Sequence, residues 1–247
     1  MSLVLRNPHS VLAVLQTRPN DVVQLNVPPQ ASNDAWEKVV QLARSKGVSV
    51  ATSMQRSAKG PKNSASVESQ RFGLAEAVIK ERTPLSLEEL FASLGKQPEG
   101  QKGLWLALDS LQDPHNVGAV FRSAAFFGVQ GVILTQERSA PLTGVVYDVA
   151  SGGMESVPFA IQVNLQRAFE VAKKAGLWVL GSSEHAHDNL QSIPKDRPWL
   201  LVLGNEEKGL RRLTQENCDM LCKIPSQGQV GSLNVSVAAG IMIAHLS

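Results

Sequence analysis

The stretch Ile224-Pro225-Ser226-Gln227-Gly228-Gln229-Val230-Gly231-Ser232-Leu233-Asn234-Val235-Ser236-Val237-Ala238-Ala239-Gly240 runs a polar, glycine-rich turn into small and apolar residues. It predicts a helix entered from a loop. Ser232 or Asn234 is placed to cap the orphan amides of the first turn. Ser236 and Gly240 lie four apart, on a face that another helix can approach closely. Polar side chains, free backbone groups and a close-packing face share this one stretch. Such a layout suits a cofactor pocket built on an assembly interface. Taken alone, it is equally a capped helix.

Two upstream segments share its character. Leu104 to Leu108 is a strand-like run that leads through Asp109-Ser110-Leu111-Gln112-Asp113-Pro114-His115 into a helical stretch, Val117 to Phe127. Pro114 and Gly118 punctuate the turn, Asn116 is a candidate cap, and Gly128 can close the helix. Arg122 follows Asn116 by six residues amid Val117, Val120, Phe121, Ala124 and Ala125. A guanidinium on an apolar face needs partners, whereas one on the wet side of the helix does not. The second segment, Trp199-Leu200-Leu201-Val202-Leu203-Gly204-Asn205-Glu206-Glu207-Lys208-Gly209-Leu210, is an unbroken apolar run ending in a glycine turn. It fits a central parallel strand, beyond whose carboxyl end ligands bind.

Together the three segments resemble the SpoU (TrmH-like) family of the SPOUT RNA 2′-O-ribose methyltransferases. The first family motif matches Asn116 to Arg122. The second matches Gly204-Asn205-Glu206 with Gly209-Leu210, and the third matches Ile224-Pro225 with Ser232 to Gly240. Val149 to Glu155 looks like the family's connecting segment. The resemblance covers about residues 103 to 247. It implies a parallel-sheet domain whose chain, from about Leu200, forms a deep trefoil knot. It also implies a homodimer, with the Ser236/Gly240 face as part of the interface.

The implied reaction is methyl transfer from S-adenosylmethionine to a ribose 2′-hydroxyl of RNA. The hydroxyl proton is the obstacle, and general base assistance contributes about 10²–10⁴-fold. The resemblance gives that role to Arg122, although a guanidinium ionises only above about pH 12. Arg122 is therefore either forced neutral by burial near the sulfonium, or stays charged and stabilises the developing alkoxide. Asn116 would orient Arg122 or the ribose, and Glu206 would anchor Arg122 or a partner-chain group. Ser232 and Asn234 would position phosphate and hydroxyl. Gly204 would let the chain approach the adenosine, while Ile224 and Leu233 enclose the adenine.

Bulk properties agree with this. Hydrophobic residues make up 43% of 247, enough for a proper core. No apolar run reaches the length of a membrane span, and the N-terminus does not have the form of a signal peptide. Cys218 and Cys222 lack companion ligands and read as reduced thiols, and His185 and His187 read as a solvated loop, so no metal is expected. A cytoplasmic protein fits. Residues 1 to 82 carry 11 Lys+Arg against 6 Asp+Glu, net +5, whereas residues 103 to 247 carry 11 against 13, net −2. The basic N-terminal portion points to a polyanion.

The expected architecture is α/β in two parts: a small α/β RNA-binding domain over 1–82 and a methyltransferase domain over 103–247, joined by a linker over 83–102. In the first part, helices are expected at Asn7 to Gln16 and Trp36 to Lys46, and strands at Val22 to Val27 and Val48 to Ala51. A closing strand or helix is expected at Phe72 to Ile79. Gln55 to Ser66, with Arg56, Lys59 and Lys62, reads as a basic loop and a candidate RNA contact. Pro84 to Leu94 reads as a linker helix. Further strands are expected at Val132 to Leu134, Val157 to Ala160, Leu177 to Gly181, Leu200 to Leu203 and Cys222 to Ile224, with helices at Leu165 to Ala175 and Leu233 to Leu246.

The N-terminal part is similar to the ribosomal-protein-like domain of family members that act on large-subunit ribosomal RNA. Asn7-Pro8-His9-Ser10-Val11 looks like the Gly-x-His-x-Val opening, with Arg6 or Asn7 where glycine is usual. Ser69-Gln70 looks like a His-Gln-Gly segment, with Arg71 where glycine is usual. Ribosomal RNA is thus the expected substrate and tRNA the alternative. A non-catalytic RNA-binding or ribosome-assembly protein would not need Asn116, Arg122, Glu206, Ser232 and Asn234 all in place. A nicotinamide or flavin enzyme would need a Gly-x-Gly-x-x-Gly cradle, and this chain has none.

Overall fold

A computed structural model describes residues 2–29, 33–52, 75–96 and 102–247. The basic stretch 55–66 lies outside them. The chain forms two compact units, Met1–Arg82 with Leu142–Ser156, and Thr83–Pro141 with Val157–Ser247. No helix among the described residues is long and apolar enough to cross a membrane.

The first unit has a four-stranded mixed sheet of β1 (Ser2–Leu5), β2 (Val22–Asn26), β3 (Val50–Ala51) and β4 (Glu76–Lys80), in the order β1-β4-β2-β3. β4 runs antiparallel to β1 and β2, and β2 runs parallel to β3 through the Asp34–Ser45 helix. The helix Pro8–Thr17 starts where Asn7 accepts from the His9 N–H and Pro8 supplies a preset φ. Asn33 caps the Asp34–Ser45 helix, which buries Trp36, Val39 and Ala43.

Two short helices from the middle of the sequence, Gly144–Ala150 and Gly153–Ser156, belong to this unit. Asp148 accepts from the backbone N–H groups of Arg6 and Asn7 at 2.9 and 3.0 Å. Glu155, almost fully buried, takes both Nε and Nη2 of Arg18, at 2.9 and 2.8 Å. A Cβ at Gly144 would fall 2.0 Å from the Val4 carbonyl oxygen, so only glycine fits there. The division at residue 82 is thus incomplete, because 142–156 clusters with the N-terminal residues.

The second unit is built on seven parallel strands: β5 (Leu104–Leu108), β6 (Gly131–Thr135), β7 (Phe159–Gln162), β8 (Trp178–Ser182), β9 (Asp188–Asn189), β10 (Trp199–Leu203) and β11 (Met220–Lys223). Their order is β7-β6-β5-β10-β8-β11-β9. β5, β6 and β10 are buried along their whole length, as continuous apolar runs require in a sheet covered on both faces. On one face Trp105, Ala107, Leu200 and Val202 meet Ala168, Phe169 and Ala172 of the Gln166–Ala175 helix. The helix Pro114–Phe126 packs against the last helix, Val235–Leu246, which also reaches β10.

The segment expected to be a linker also contributes to this unit. Its helix, Leu87–Phe91, buries Leu87, Leu90 and Phe91 in the same core, and Trp105 Nε1 donates to the Leu90 carbonyl at 3.2 Å. Ser86 and Glu89 form a reciprocal capping box that starts the helix after Pro84.

Candidate active site

In a parallel sheet every strand delivers its carboxyl end to the same side, and the loops there build the site. The loops after β10 and β11 and the start of the last helix enclose a cavity of about 560 Å³. Gly204, Glu206, Ile224, Ser232, Leu233 and Met242 are among its walls. The volume is that of a small-molecule site.

The β10 loop is tightly wound. Asn205 and Gly209 exchange two backbone hydrogen bonds at 3.0 Å. The Asn205 Oδ1 accepts from the N–H groups of Glu207 and Lys208 at 3.1 and 3.2 Å. A Cβ at Gly204 would come within 2.3–2.6 Å of the Gly209 and Leu210 backbone. The loop's own backbone therefore demands glycine at 204, a position that also lies on the cavity wall.

Asn116 does not cap its helix. Asp113 does, accepting from the His115 N–H at 2.9 Å, with Pro114 at the first helical position. That frees the Asn116 side chain, 7% exposed, to face inward. Its Nδ2 donates to Glu206 Oε1 at 3.2 Å, and its Oδ1 accepts from Asn234 Nδ2 at 3.0 Å. Asn234 caps the last helix, its Oδ1 accepting from the Ser236 N–H at 2.9 Å and the Ser236 hydroxyl at 2.6 Å. Glu206 also faces the N–H groups of Gln112 and Asp113, each at 3.4 Å, so its charge sits at the positive end of the Pro114–Phe126 helix. Asn205 Nδ2 donates to Glu206 Oε2 at 3.1 Å. The three sequence motifs therefore meet in one hydrogen-bonded chain, Glu206–Asn116–Asn234.

Arg122 stands apart from that chain. It is exposed, and among the described residues it has no hydrogen-bond or ion-pair partner. Within this chain Glu206 meets Asn116, Asn205 and the helix start rather than Arg122, which leaves the expected alternative of a partner-chain group. Nor does this chain alone bury Arg122 as a neutral guanidinium would require. Ser232 is exposed on the cavity wall, and Ile224 and Leu233 also line it. A Cβ at Gly240 would meet Ser123 Oγ of the Pro114–Phe126 helix at 3.9 Å, an ordinary contact. On these two helices Phe126 is 82% exposed and Val237 50% exposed, with Ile241 also open to solvent.

Burial pushes the thiols of Cys218 and Cys222 up to about 12. Cys222 lies in the cavity wall. Among the described residues no group of three or more His, Cys, Asp or Glu is placed to hold a metal ion. Asp109 was not singled out from the sequence, though it is a fully buried charge next to the β10 loop. Its only sequence signal is an aspartate directly after an apolar strand.

The pattern of the SpoU rRNA Methylase family matches residues 103–244. The 23S rRNA (guanosine-2'-O-)-methyltransferase RlmB of Pseudomonas aeruginosa is 35% identical over 240 residues, 96% of this chain and 93% of that protein. The protein of the same name from Nitrosomonas europaea is 43% identical over 171 residues, 69% of this chain and 64% of the relative, just under two thirds of it. Among solved structures, the SpoU methyltransferase AviRb of Streptomyces viridochromogenes in complex with AdoMet has a TM-score of 0.75 at 20% identity, covering 99% of this chain and 89% of that one. At that identity it speaks for the fold.

Proposed function

The chain belongs to the SpoU rRNA methylase family, and from that premise we propose that it methylates a ribose 2′-hydroxyl of a guanosine in 23S ribosomal RNA, using S-adenosylmethionine. The observation that carries this reading is the Glu206–Asn116–Asn234 chain beside a cavity of about 560 Å³. The cavity suits the cofactor: its walls offer backbone and apolar side chains, Ile224 and Leu233 among them, to a neutral purine. When bound, the cofactor would supply a methyl group on a cationic sulfur and leave as the neutral thioether, with the hydroxyl proton passing to water.

The residues of the chain handle the rest. Asn234, held by Asn116, and Ser232 orient the phosphate and the hydroxyl. Asn116 is itself fixed by Glu206, so the order of the site depends on a carboxylate that need not touch the RNA. Arg122 stays charged, grips phosphate and stabilises the developing alkoxide. Its exposure supports a homodimer in which a second copy covers exposed apolar residues of the two helices, Phe126 among them, with Arg122 four residues before Phe126 on the same helical face. The family's trefoil knot, from about Leu200, belongs to the same reading. The first unit supplies the RNA-binding surface. Free Cys218 and Cys222 suit the cytoplasm.

Methyl transfer from labelled S-adenosylmethionine to unmodified 23S rRNA and to tRNA transcripts tests this, followed by alkaline digestion. Label in alkali-resistant dinucleotides from 23S rRNA is the expected result. Label confined to tRNA moves the substrate assignment, and no cofactor binding at all overturns the activity.

A further inference from the structure

Asp109 follows β5, has no solvent exposure, and is not used by the chemistry above. A fully buried carboxylate needs partners, and this one has them on both oxygens. Oδ1 meets Arg211 Nη2 at 2.6 Å and accepts from the Ser110 hydroxyl at 3.2 Å. Oδ2 accepts from the Thr214 hydroxyl at 2.7 Å and from the Arg211 backbone N–H at 3.3 Å. The backbone N–H of Asp109 donates to the Leu203 carbonyl at 2.8 Å.

Leu203 and Arg211 are the two residues that flank the 204–210 loop, so Asp109 grips the loop at both ends. Its neighbour adds a third tie, the Ser110 carbonyl accepting from Asn205 Nδ2 at 2.9 Å. Ser110 holds a φ of 65°, a left-handed conformation that costs a serine energy and persists only where the surroundings impose it. The Ser110 N–H, donating to Thr135 Oγ1 at 3.2 Å, is one such constraint. The loop tied in this way carries Gly204 on the cavity wall and Glu206 on Asn116. A loop fastened only by its strand would sample many positions.

We propose that Asp109, clasped by Arg211 and Thr214, is a positioning residue that holds the 204–210 loop in the shape that receives S-adenosylmethionine, an inference that rests on the function proposed above. Arg211 is partly exposed and makes one close contact with Oδ1, so a lysine can replace its charge there. Thr214 contributes a single hydroxyl.

The test uses the full chain and its Arg211→Ala, Arg211→Lys and Thr214→Val variants. Cofactor affinity is measured by titration calorimetry without RNA, and KM and kcat by steady-state methyl transfer. Arg211→Ala is expected to raise Kd and KM for S-adenosylmethionine about tenfold, the loss of one charge-assisted hydrogen bond, with kcat at saturating cofactor within about threefold. Thr214→Val is expected to move both in the same direction by less, and Arg211→Lys to recover most of the loss. Unchanged Kd and KM in both Arg211→Ala and Thr214→Val, with only a lower melting temperature, would leave Asp109 a purely structural residue and overturn the proposal. If Arg211→Ala does not fold, Thr214→Val decides alone. If the unaltered chain binds no cofactor, the proposed function fails and takes this inference with it. If the unaltered chain binds and the variants bind equally well, this inference alone fails.

Discussion

Asn234 Nδ2 donates to Asn116 Oδ1 at 3.0 Å, joining two helix starts that lie 118 residues apart in the sequence. Asn116 completes the join on its other side by donating to Glu206. An asparagine is suited to this place because it offers a donor and an acceptor on one planar group.

Asn116→Asp keeps the shape but puts a second carboxylate against Glu206. The donor to Glu206 is lost in a nearly buried position, which is expected to cost about 1–3 kcal/mol of stability. Methyl transfer is expected to fall by about 10²-fold or more as the new carboxylate, repelled by Glu206, shifts the acceptor that holds Asn234. Denaturant midpoints and labelled-methyl transfer measure the two effects, and unchanged transfer would remove Asn116 from the site.

Arg122→Ala should separate stability from activity. The side chain is exposed and has no partner among the described residues, so the unfolding free energy should change by less than about 0.5 kcal/mol. Methyl transfer should drop about 10²–10³-fold. Equal, small changes in both would make Arg122 an ordinary surface residue.

Gly204→Ala forces a methyl group into the Gly209–Leu210 backbone. Backbone cannot swing aside like a side chain, so the loop must move, at a cost of about 1–3 kcal/mol. Calorimetric titration with S-adenosylmethionine is expected to show a large loss of affinity. Wild-type affinity would mean the loop tolerates a shift without disturbing the cavity.

Alkali should weaken the fold through its thiols. Cys218 and Cys222 ionise near 9 when unfolded but, through burial, only at about 12 when folded. Between those values the unfolded chain has lost protons that the folded chain retains, so stability falls as pH rises. The contribution is whole below about pH 9 and fades toward 12. Denaturation midpoints from pH 8 upward, compared with a Cys218→Ala/Cys222→Ala protein, isolate it. Identical slopes for the two proteins would refute the assignment.

Phe126→Glu places a charge in the exposed apolar face. Sedimentation velocity is expected to find the unaltered protein dimeric and the variant monomeric. A variant that remains dimeric would place the contact elsewhere.

Much of this was legible in the sequence because the signals are local. The apolar runs Leu104 to Leu108 and Trp199 to Leu203 are central strands, buried at every residue. The expected helices and strands differ from the observed ones chiefly at their ends, as where Pro114 starts its helix three residues before Val117. What was missed depends on partners far away in the chain. β1 is a short Ser-Leu-Val-Leu segment that becomes a strand by pairing with β4. Asp109 reads as a turn residue until Arg211 and Thr214 fold onto it. Glu206 and Arg122 have opposite charges and neighbouring motifs, yet the carboxylate is better served by amides at a helix start, which no pairing rule along the sequence reveals.

The placement of residues 142–156 in the first unit bears on how such a protein can change over generations. Val146, Tyr147, Ala150 and Met154 are buried there. A descendant that discarded residues 1–82 would keep four greasy side chains stranded in the middle of its catalytic half.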